Sequence, residues 1–304
     1  VWVPAQRSRY MRVLLPPSVA SNPKFVRQLH EAQRLQQELL RSDPPLTTSL
    51  DRHLELLPES VHAEARRLGA LLAEVLGLPP DAPLEQLHRA IDGFSPARRA
   101  HDRVMSSKRR LCAPLADAAR AALLQGAYDR LICETIAPFV ASRSPGLERL
   151  HYATFPTLRV QTPSSSVATI RPHLDGMYGL EPGSLNAWLP LTEVREDSAL
   201  WVEQSVGTSN FRPIRRPTLF DGRRSVHFTV PNRSRLTRVS LDFRLLPGSC
   251  FDEESRLARQ GYYSAASVDR HTSRWVKTSH GRVSELHGLP HTAKPRDAAA
   301  ACVS

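Results

Sequence analysis

The chain has 304 residues, a mass of 33.9 kDa, 41% apolar and 23% charged residues, and a formal net charge of +11 at pH 7. That apolar content fills one large domain, or a core domain with a smaller flanking module, and no apolar run reaches the roughly 20 residues that a membrane-spanning helix needs. Of the 41 basic residues only Lys24, Lys108, Lys277 and Lys294 are lysines, an imbalance that fits a GC-rich genome better than a phosphate-binding surface, so nucleic acid is a disfavoured partner.

Cys112, Cys133, Cys250 and Cys302 lie far apart with no C-x-x-C pair, which predicts a reducing, intracellular and most simply cytoplasmic location. Residues 1–30 lack Asp and Glu but carry Arg7, Arg9, Arg12, Lys24 and Arg27 beside serines. They resemble an organelle transit segment and leave organelle targeting open. The first residue is Val1, with Met11 as a second candidate start.

The predicted elements fall into three parts: a helical flank over 1–145, a β-rich core over 146–250, and a C-terminal extension over 251–304 that becomes a disordered tail from about residue 290. In the flank, Phe25, Leu29, Ala32, Leu35 and Leu39 recur at helical spacing, as do Val61, Ala65, Leu68, Leu72 and Val75; both sets predict amphipathic helices. A third helix is expected over 84–91. An Ala/Leu-rich helix from 113 continues to 140, with Pro138 set to bend or end it. His30, His53, His62, His88 and His101 sit among Arg and Glu in this part and are expected on solvent-facing sides.

Beyond Gly146 the pattern changes to short segments rich in β-branched and aromatic residues: 157–162, 166–170, 184–191, 199–203, 217–220, 225–230 and 235–246. Strands so closely spaced, without long helices between them, predict a sandwich or barrel-like jelly roll, and with the helical flank an α+β class. A short helix is expected near 253–259.

The chemistry-bearing segment is Arg171-Pro172-His173-Leu174-Asp175-Gly176. Residues two apart on an extended chain point the same way, so His173 and Asp175 can offer an imidazole and a carboxylate to one metal ion. His227, 52 positions beyond Asp175 in a strand-like segment, supplies a third ligand. Two histidines and one carboxylate form the facial set of non-haem Fe(II) oxygenases, with positions left for O2 and a co-substrate. Zn(II) is the competing metal, although the H-E-x-x-H run common to zinc hydrolases is absent from the sequence. Eleven positions after His227, Arg238 and Ser240 share a strand face, where a guanidinium and a hydroxyl can converge on the distal carboxylate of a 2-oxo dicarboxylate. Arg244 lies on the same face and is expected to be an ordinary strand arginine. Strand phase adds Asn186 beside Trp188, and Arg159 beside Gln161, as secondary co-substrate contacts, with Tyr178 near the triad. Trp201 is expected in the core, and His151, His271, His280, His287 and His291 at the surface.

Taken together, His173-x-Asp175, His227, Asn232 five positions later and Arg238 at eleven resemble the phytanoyl-coenzyme A hydroxylase-type branch of the Fe(II)/2-oxoglutarate oxygenases. The longer segments FPTLRV (155–160), LNAWLPLT (185–192), SALWVE (198–203) and TRVSLDFR (237–244) are more similar to the StrG-like family of streptomycin biosynthesis, over about residues 150–263. The resemblance implies a double-stranded β-helix with iron at the mouth of the roll. It also implies 2-oxoglutarate and O2 as co-substrates, and hydroxylation or another oxidation of a small polar metabolite. Two departures stand out: Phe228 where relatives often have Gly, expected to narrow the pocket beside His227, and Arg216-Pro217-Thr218 in place of a Gly-Asp pair. Because Asp175 is present, oxygen insertion or desaturation is favoured over halogenation, which in such families accompanies loss of that carboxylate. The other readings are a non-catalytic jelly-roll binding protein and an oxygenase directed at nucleic acid, the latter motivated by Arg212, Arg215, Arg216, Arg223 and Arg224.

Overall fold

The ten-residue strand Arg238–Pro247 is buried along its whole length, and its sequence sets the architecture. Val239, Leu241, Phe243 and Leu245 alternate with Arg238, Ser240, Asp242 and Arg244. Successive strand side chains point to opposite faces, so one face of the strand is apolar and the other polar. In this computed structural model the described residues are 15, 17–42, 54–79, 82–90, 113–163 and 168–282. The tail expected from about residue 290, Met11, His53, His101, His287 and His291 lie outside them.

In chain order the strands are β1 (Glu55–Leu56), β2 (Arg149–Ala153), β3 (Thr157–Gln161), β4 (Leu185–Pro190), β5 (Leu200–Glu203), β6 (Phe211–Ile214), β7 (Thr218–Phe220), β8 (His227–Thr229), β9 (Arg238–Pro247), β10 (Tyr263–Val268) and β11 (Trp275–Ser279). They form two antiparallel sheets. The larger runs β1-β7-β4-β9-β2-β10-β11, with β3 also paired to β9; the smaller is β6-β5-β8. A bridge between His173 and His227 adds the segment around His173 to the free side of β8. The chain is thus a mixture of helices and antiparallel sheet.

The helices are α1 (Pro17–Ala20), α2 (Pro23–Ser42), α3 (Glu59–Val75), α4 (Ala118–Leu131), α5 (Ala137–Arg143) and α6 (Arg256–Arg259). The apolar face of the large sheet is covered by α3 and α4: Val61, Ala65, Leu68, Leu72 and Val75 share one buried cluster with Val239, Leu241, Phe243 and Leu245. Tyr128 of α4 packs edge-on against Phe243 at 5.1 Å and donates its hydroxyl to the Ala153 carbonyl at 2.9 Å. Helix α2 covers the small sheet instead, with Phe25 5.0 Å from Phe228 and Gln36 donating to Glu203 and to the Arg224 carbonyl. The expected α3 stripe is buried in full, whereas in α2 Phe25, Leu29 and Ala32 are buried, Leu35 and Leu39 are half-buried, and Gln36 joins the buried side. Among the described residues no helix is long and apolar enough to cross a membrane.

Several expectations change. The long helix over 113–140 is broken: a 3-10 turn at Ala113–Ala116 precedes α4, and a π-turn at Ile132–Ile136 separates α4 from α5. Pro138 lies in the first turn of α5. A proline has no N–H to return to the preceding turn, and a widened turn just before it accommodates that loss. The helix over 84–91 is a 3-10 segment, Leu84–Ala90. Of the strand expected over 166–170, residues 168–170 are described and form no strand; Ile170 instead exchanges hydrogen bonds with Thr229. Strands β1, β2, β6, β10 and β11 were outside the predicted set, and β10 pairs with β2 inside the large sheet.

Two histidines expected on the surface are buried. His88 bonds Thr237 Oγ1 at 2.8 Å. His151 stacks on Phe251 at 3.7 Å, and burial, with Arg149 acting in the same direction, pushes its pKa down to about 4. The unfolded chain takes up this proton near the ordinary imidazole value of about 6.5, before the folded chain does. The stability linked to His151 is therefore complete above about pH 6.5 and is lost as the pH falls towards 4. Urea unfolding at a series of pH values should give a shallower acid loss of stability in His151→Gln than in the wild type; parallel curves would remove His151 as a contributor.

Candidate metal centre

His173 and His227 are fixed side by side by the backbone. Each exchanges main-chain hydrogen bonds with the other, His173 N–H to His227 O at 3.2 Å and His227 N–H to His173 O at 2.9 Å. Their ring centroids lie 4.1 Å apart. Each ring places Nδ1 against the carbonyl of the residue two before it, Arg171 at 2.9 Å and Ser225 at 3.0 Å. A carbonyl only accepts, so Nδ1 carries the proton and Nε2 presents a lone pair. Both Nε2 atoms face Asp175 Oδ1, at 3.5 and 3.9 Å. Ligand atoms of the three residues lie within 4.8 Å of one another, and all three residues are buried. Burial, together with the neighbouring His173, lowers the His227 pKa to about 4. It is therefore neutral near pH 7, as a metal-binding imidazole must be.

Asp175 begins a 3-10 turn, Asp175–Tyr178, whose first amides donate to the Gly222 and Arg223 carbonyls. Its two carboxylate oxygens have different surroundings. Oδ2 accepts from Asn186 Nδ2 at 2.5 Å and pairs with Arg244 at 2.9 Å, while Oδ1 is the atom turned to the imidazoles. Burial alone would raise this carboxyl's pKa; Arg244, then the two imidazoles, hold it well below the usual range. The site needs two glycines for space. A Cβ on Gly222 would overlap the Asn186 amide, and one on Gly176 would lie 2.5 Å from Leu39 and 2.8 Å from the Arg223 carbonyl.

Arg238 lies on the same polar face of β9 and is 1% exposed. Its guanidinium donates to the Ser198 carbonyl at 3.2 Å, Ser240 Oγ at 2.7 Å and Gln161 Oε1 at 2.9 Å, and sits 5.9 Å from the Trp188 ring. Gln161 is oriented for this by donating its own Nε2 to the Val230 carbonyl at 2.7 Å. Among the described residues no carboxylate ion-pairs with Arg238. Burial, with Arg159 adding to it, pulls its pKa down to about 9. A cation held in this way by neutral partners is costly until an anion joins it.

The structure brings together His173, Asp175 and His227, and separately Arg238, Ser240 and Gln161. Asn186, expected as a co-substrate contact, makes its hydrogen bond to Asp175. Arg159 pairs with Asp242 at 3.3 Å. Tyr178 is 43% exposed with its ring 5.8 Å from His173. Asn232 braces the segment before β9, donating to the Gln161 and Leu236 carbonyls. Phe228 does not narrow the space beside His227. As the next residue along β8 it points to the opposite face, into Phe25, Phe211 and Trp201. Asp242 and Arg244 also belong to the site, although Arg244 reads in the sequence as an ordinary strand arginine. Their even spacing from Arg238 was the available signal.

No protein-family profile matches the chain. Over 110 residues it is 32% identical to the streptomycin biosynthesis protein StrG of Streptomyces griseus, a match that covers 36% of this chain and 53% of StrG. The chain thus spans about half the length of that curated relative. Among solved structures, a nickel complex of the non-haem monooxygenase ThoJ aligns over 70% of this chain and 77% of its own, at 16% identity and a TM-score of 0.37. The non-haem alpha-ketoglutarate-dependent epimerase SnoN from nogalamycin biosynthesis aligns over 78% and 85%, at 16% identity and a TM-score of 0.34.

Because Gly222 leaves room for the amide that holds Asp175, Gly222→Ala should displace Asn186. Anaerobic Fe(II) titration should then show affinity weakened about 10–100-fold, the usual cost of losing a group that orients a ligand. Unchanged affinity in a variant with native circular dichroism would show that the Asn186 contact is dispensable.

Proposed function

We propose that this protein is an Fe(II)- and 2-oxoglutarate-dependent oxygenase. The observation that carries the reading is a conjunction: three metal-ligating groups with inward lone pairs, and on the same polar sheet face as their carboxylate's partners a buried arginine with no carboxylate of its own. The triad by itself would suit Zn(II) as well. A buried arginine on the same strand as Arg244, with no carboxylate ion pair among the described residues, favours iron with a 2-oxo dicarboxylate. The residues fit these groups: His173 Nε2, His227 Nε2 and Asp175 Oδ1 would hold the metal, and Arg238 with Ser240 the distal carboxylate. When bound, Fe(II) and 2-oxoglutarate together supply O2 activation and the oxidising power to attack an unactivated C–H bond.

The chain's own contribution is positional. The main-chain bonds between His173 and His227 fix the two imidazoles relative to each other, and the carbonyls of Arg171 and Ser225 keep the protons on Nδ1. Gln161 and Ser240 aim the Arg238 guanidinium, so less ordering remains to be done when the dicarboxylate binds. Tyr178, exposed beside His173, and Arg159 are the side chains we assign as further co-substrate contacts. The two facing sheets support a double-stranded β-helix over 146–250, with residues 1–145 as a helical wall and 251–304 as an extension. The partial identity with StrG supports membership of the StrG-like group within the phytanoyl-coenzyme A hydroxylase-type branch, and a small polar metabolite as substrate.

Anaerobic addition of Fe(II) and 2-oxoglutarate should produce a weak visible charge-transfer band in the wild type that is absent in His173→Ala, Asp175→Ala and His227→Ala. Arg238→Ala should keep the metal but need far more 2-oxoglutarate. Removing one partner of a buried charge pair costs about 2–5 kcal/mol, or roughly thirty-fold to several-thousand-fold in affinity. A full band in a triad variant, or an unchanged 2-oxoglutarate requirement in Arg238→Ala, would contradict the assignment.

A further inference from the structure

Arg244 has a place in this site that neither metal ligation nor co-substrate anchoring accounts for. Its side chain is 9% exposed and lies between two carboxylates, with one terminal nitrogen 2.9 Å from Asp175 Oδ2 and the other 2.9 Å from Asp242 Oδ1. The second oxygen of Asp242 faces Arg159 at 3.3 Å. Asn186 and Arg244 are paired residues on β4 and β9, so both groups that engage Asp175 Oδ2 come from one rung of the large sheet. Burial works against the charge on Arg244, but Asp175 and Asp242 together hold its pKa above the ordinary value.

We propose that Arg244 is a positioning residue, itself held by Asp242, that keeps Asp175 a single-oxygen metal ligand. The inference rests on the metal reading above and adds a residue to it. For Asp175 to chelate a metal through both oxygens, Oδ2 would have to leave Arg244 and Asn186. Held as it is, the carboxylate takes one coordination position and leaves the others for co-substrate and O2. Asp242 has a distinct part. An Arg244 whose charge was balanced by Asp175 alone would cancel the only anionic ligand of the triad. With Asp242, itself shared with Arg159, taking part of that charge, less of it falls on Asp175 and more of the carboxylate's charge is left for the metal.

The test uses the full chain and Co(II), whose visible d–d spectrum reports coordination, in wild type, Arg244→Met and Asp242→Asn. Methionine keeps the volume of a buried aliphatic stem without the charge. In Arg244→Met the Co(II) spectrum should change before any 2-oxoglutarate is added, and 2-oxoglutarate should bind the Co(II)-loaded protein at least tenfold more weakly although Arg238 is intact. Arg238→Ala should weaken 2-oxoglutarate binding while leaving the metal-only spectrum as in the wild type. In Asp242→Asn, which leaves Asp175 alone to balance Arg244, Co(II) affinity should fall about 10–100-fold. A wild-type spectrum in Arg244→Met would overturn the positioning role and leave the metal centre standing. Should Arg244→Met not fold, Asp242→Asn decides, and wild-type Co(II) affinity there overturns the proposal. Failure of the wild type to bind Co(II) at all would overturn the metal reading and this inference with it.

Discussion

The site depends on how the two oxygens of Asp175 are shared between the sheets. Oδ2 is engaged by Asn186 and Arg244 of the large sheet, and Oδ1 faces His173 and His227 at the edge of the small one. A buried carboxylate without such partners would cost several kcal/mol or take up a proton. Here it is held as an anion, and its two claims fix the separation of the sheets where the metal would sit. Arg238 makes a second cross-link through the Ser198 carbonyl, just before β5.

The same alternation along β9 serves stability and chemistry on opposite faces. Its apolar residues are covered by α3 and α4, which anchors the strand in the main core, and its polar residues carry the contacts to Asp175 and to the Ser198 carbonyl. Substitutions of the apolar set act through packing, and substitutions of the polar set act through charge. Around the polar face Arg159, Arg238 and Arg244 gather against Asp175 and Asp242, three cations to two anions. Fully buried ion pairs seldom add net stability, because desolvation offsets attraction. A charge cluster of this kind is better explained by binding than by folding.

The sequence made the ligand residues legible because their chemistry is local: an imidazole and a carboxylate two apart, then a histidine and an arginine on strands of readable phase. The α2 and α3 stripes were legible for the same reason. What was missed depends on long-range contacts. Arg244 reads as one more arginine among 37 until the fold puts Asp175 beside it. His88 and His151 look solvated among charged neighbours, yet tertiary packing buries one on Thr237 and the other on Phe251. The strands β2 and β10 carry weak patterns and gain their place from each other. Phe228 is next to His227 in the chain but not in the site, since neighbours on a strand face opposite ways.

The central claim is that one space between the sheets holds both a metal and a dicarboxylate. Anomalous diffraction at the iron edge, from crystals grown anaerobically with Fe(II) and 2-oxoglutarate, tests it most directly. The expected result is one iron peak bonded to His173 Nε2, His227 Nε2 and Asp175 Oδ1, with a 2-oxoglutarate carboxylate on Arg238. Iron bound elsewhere, or 2-oxoglutarate bound away from Arg238, would contradict it.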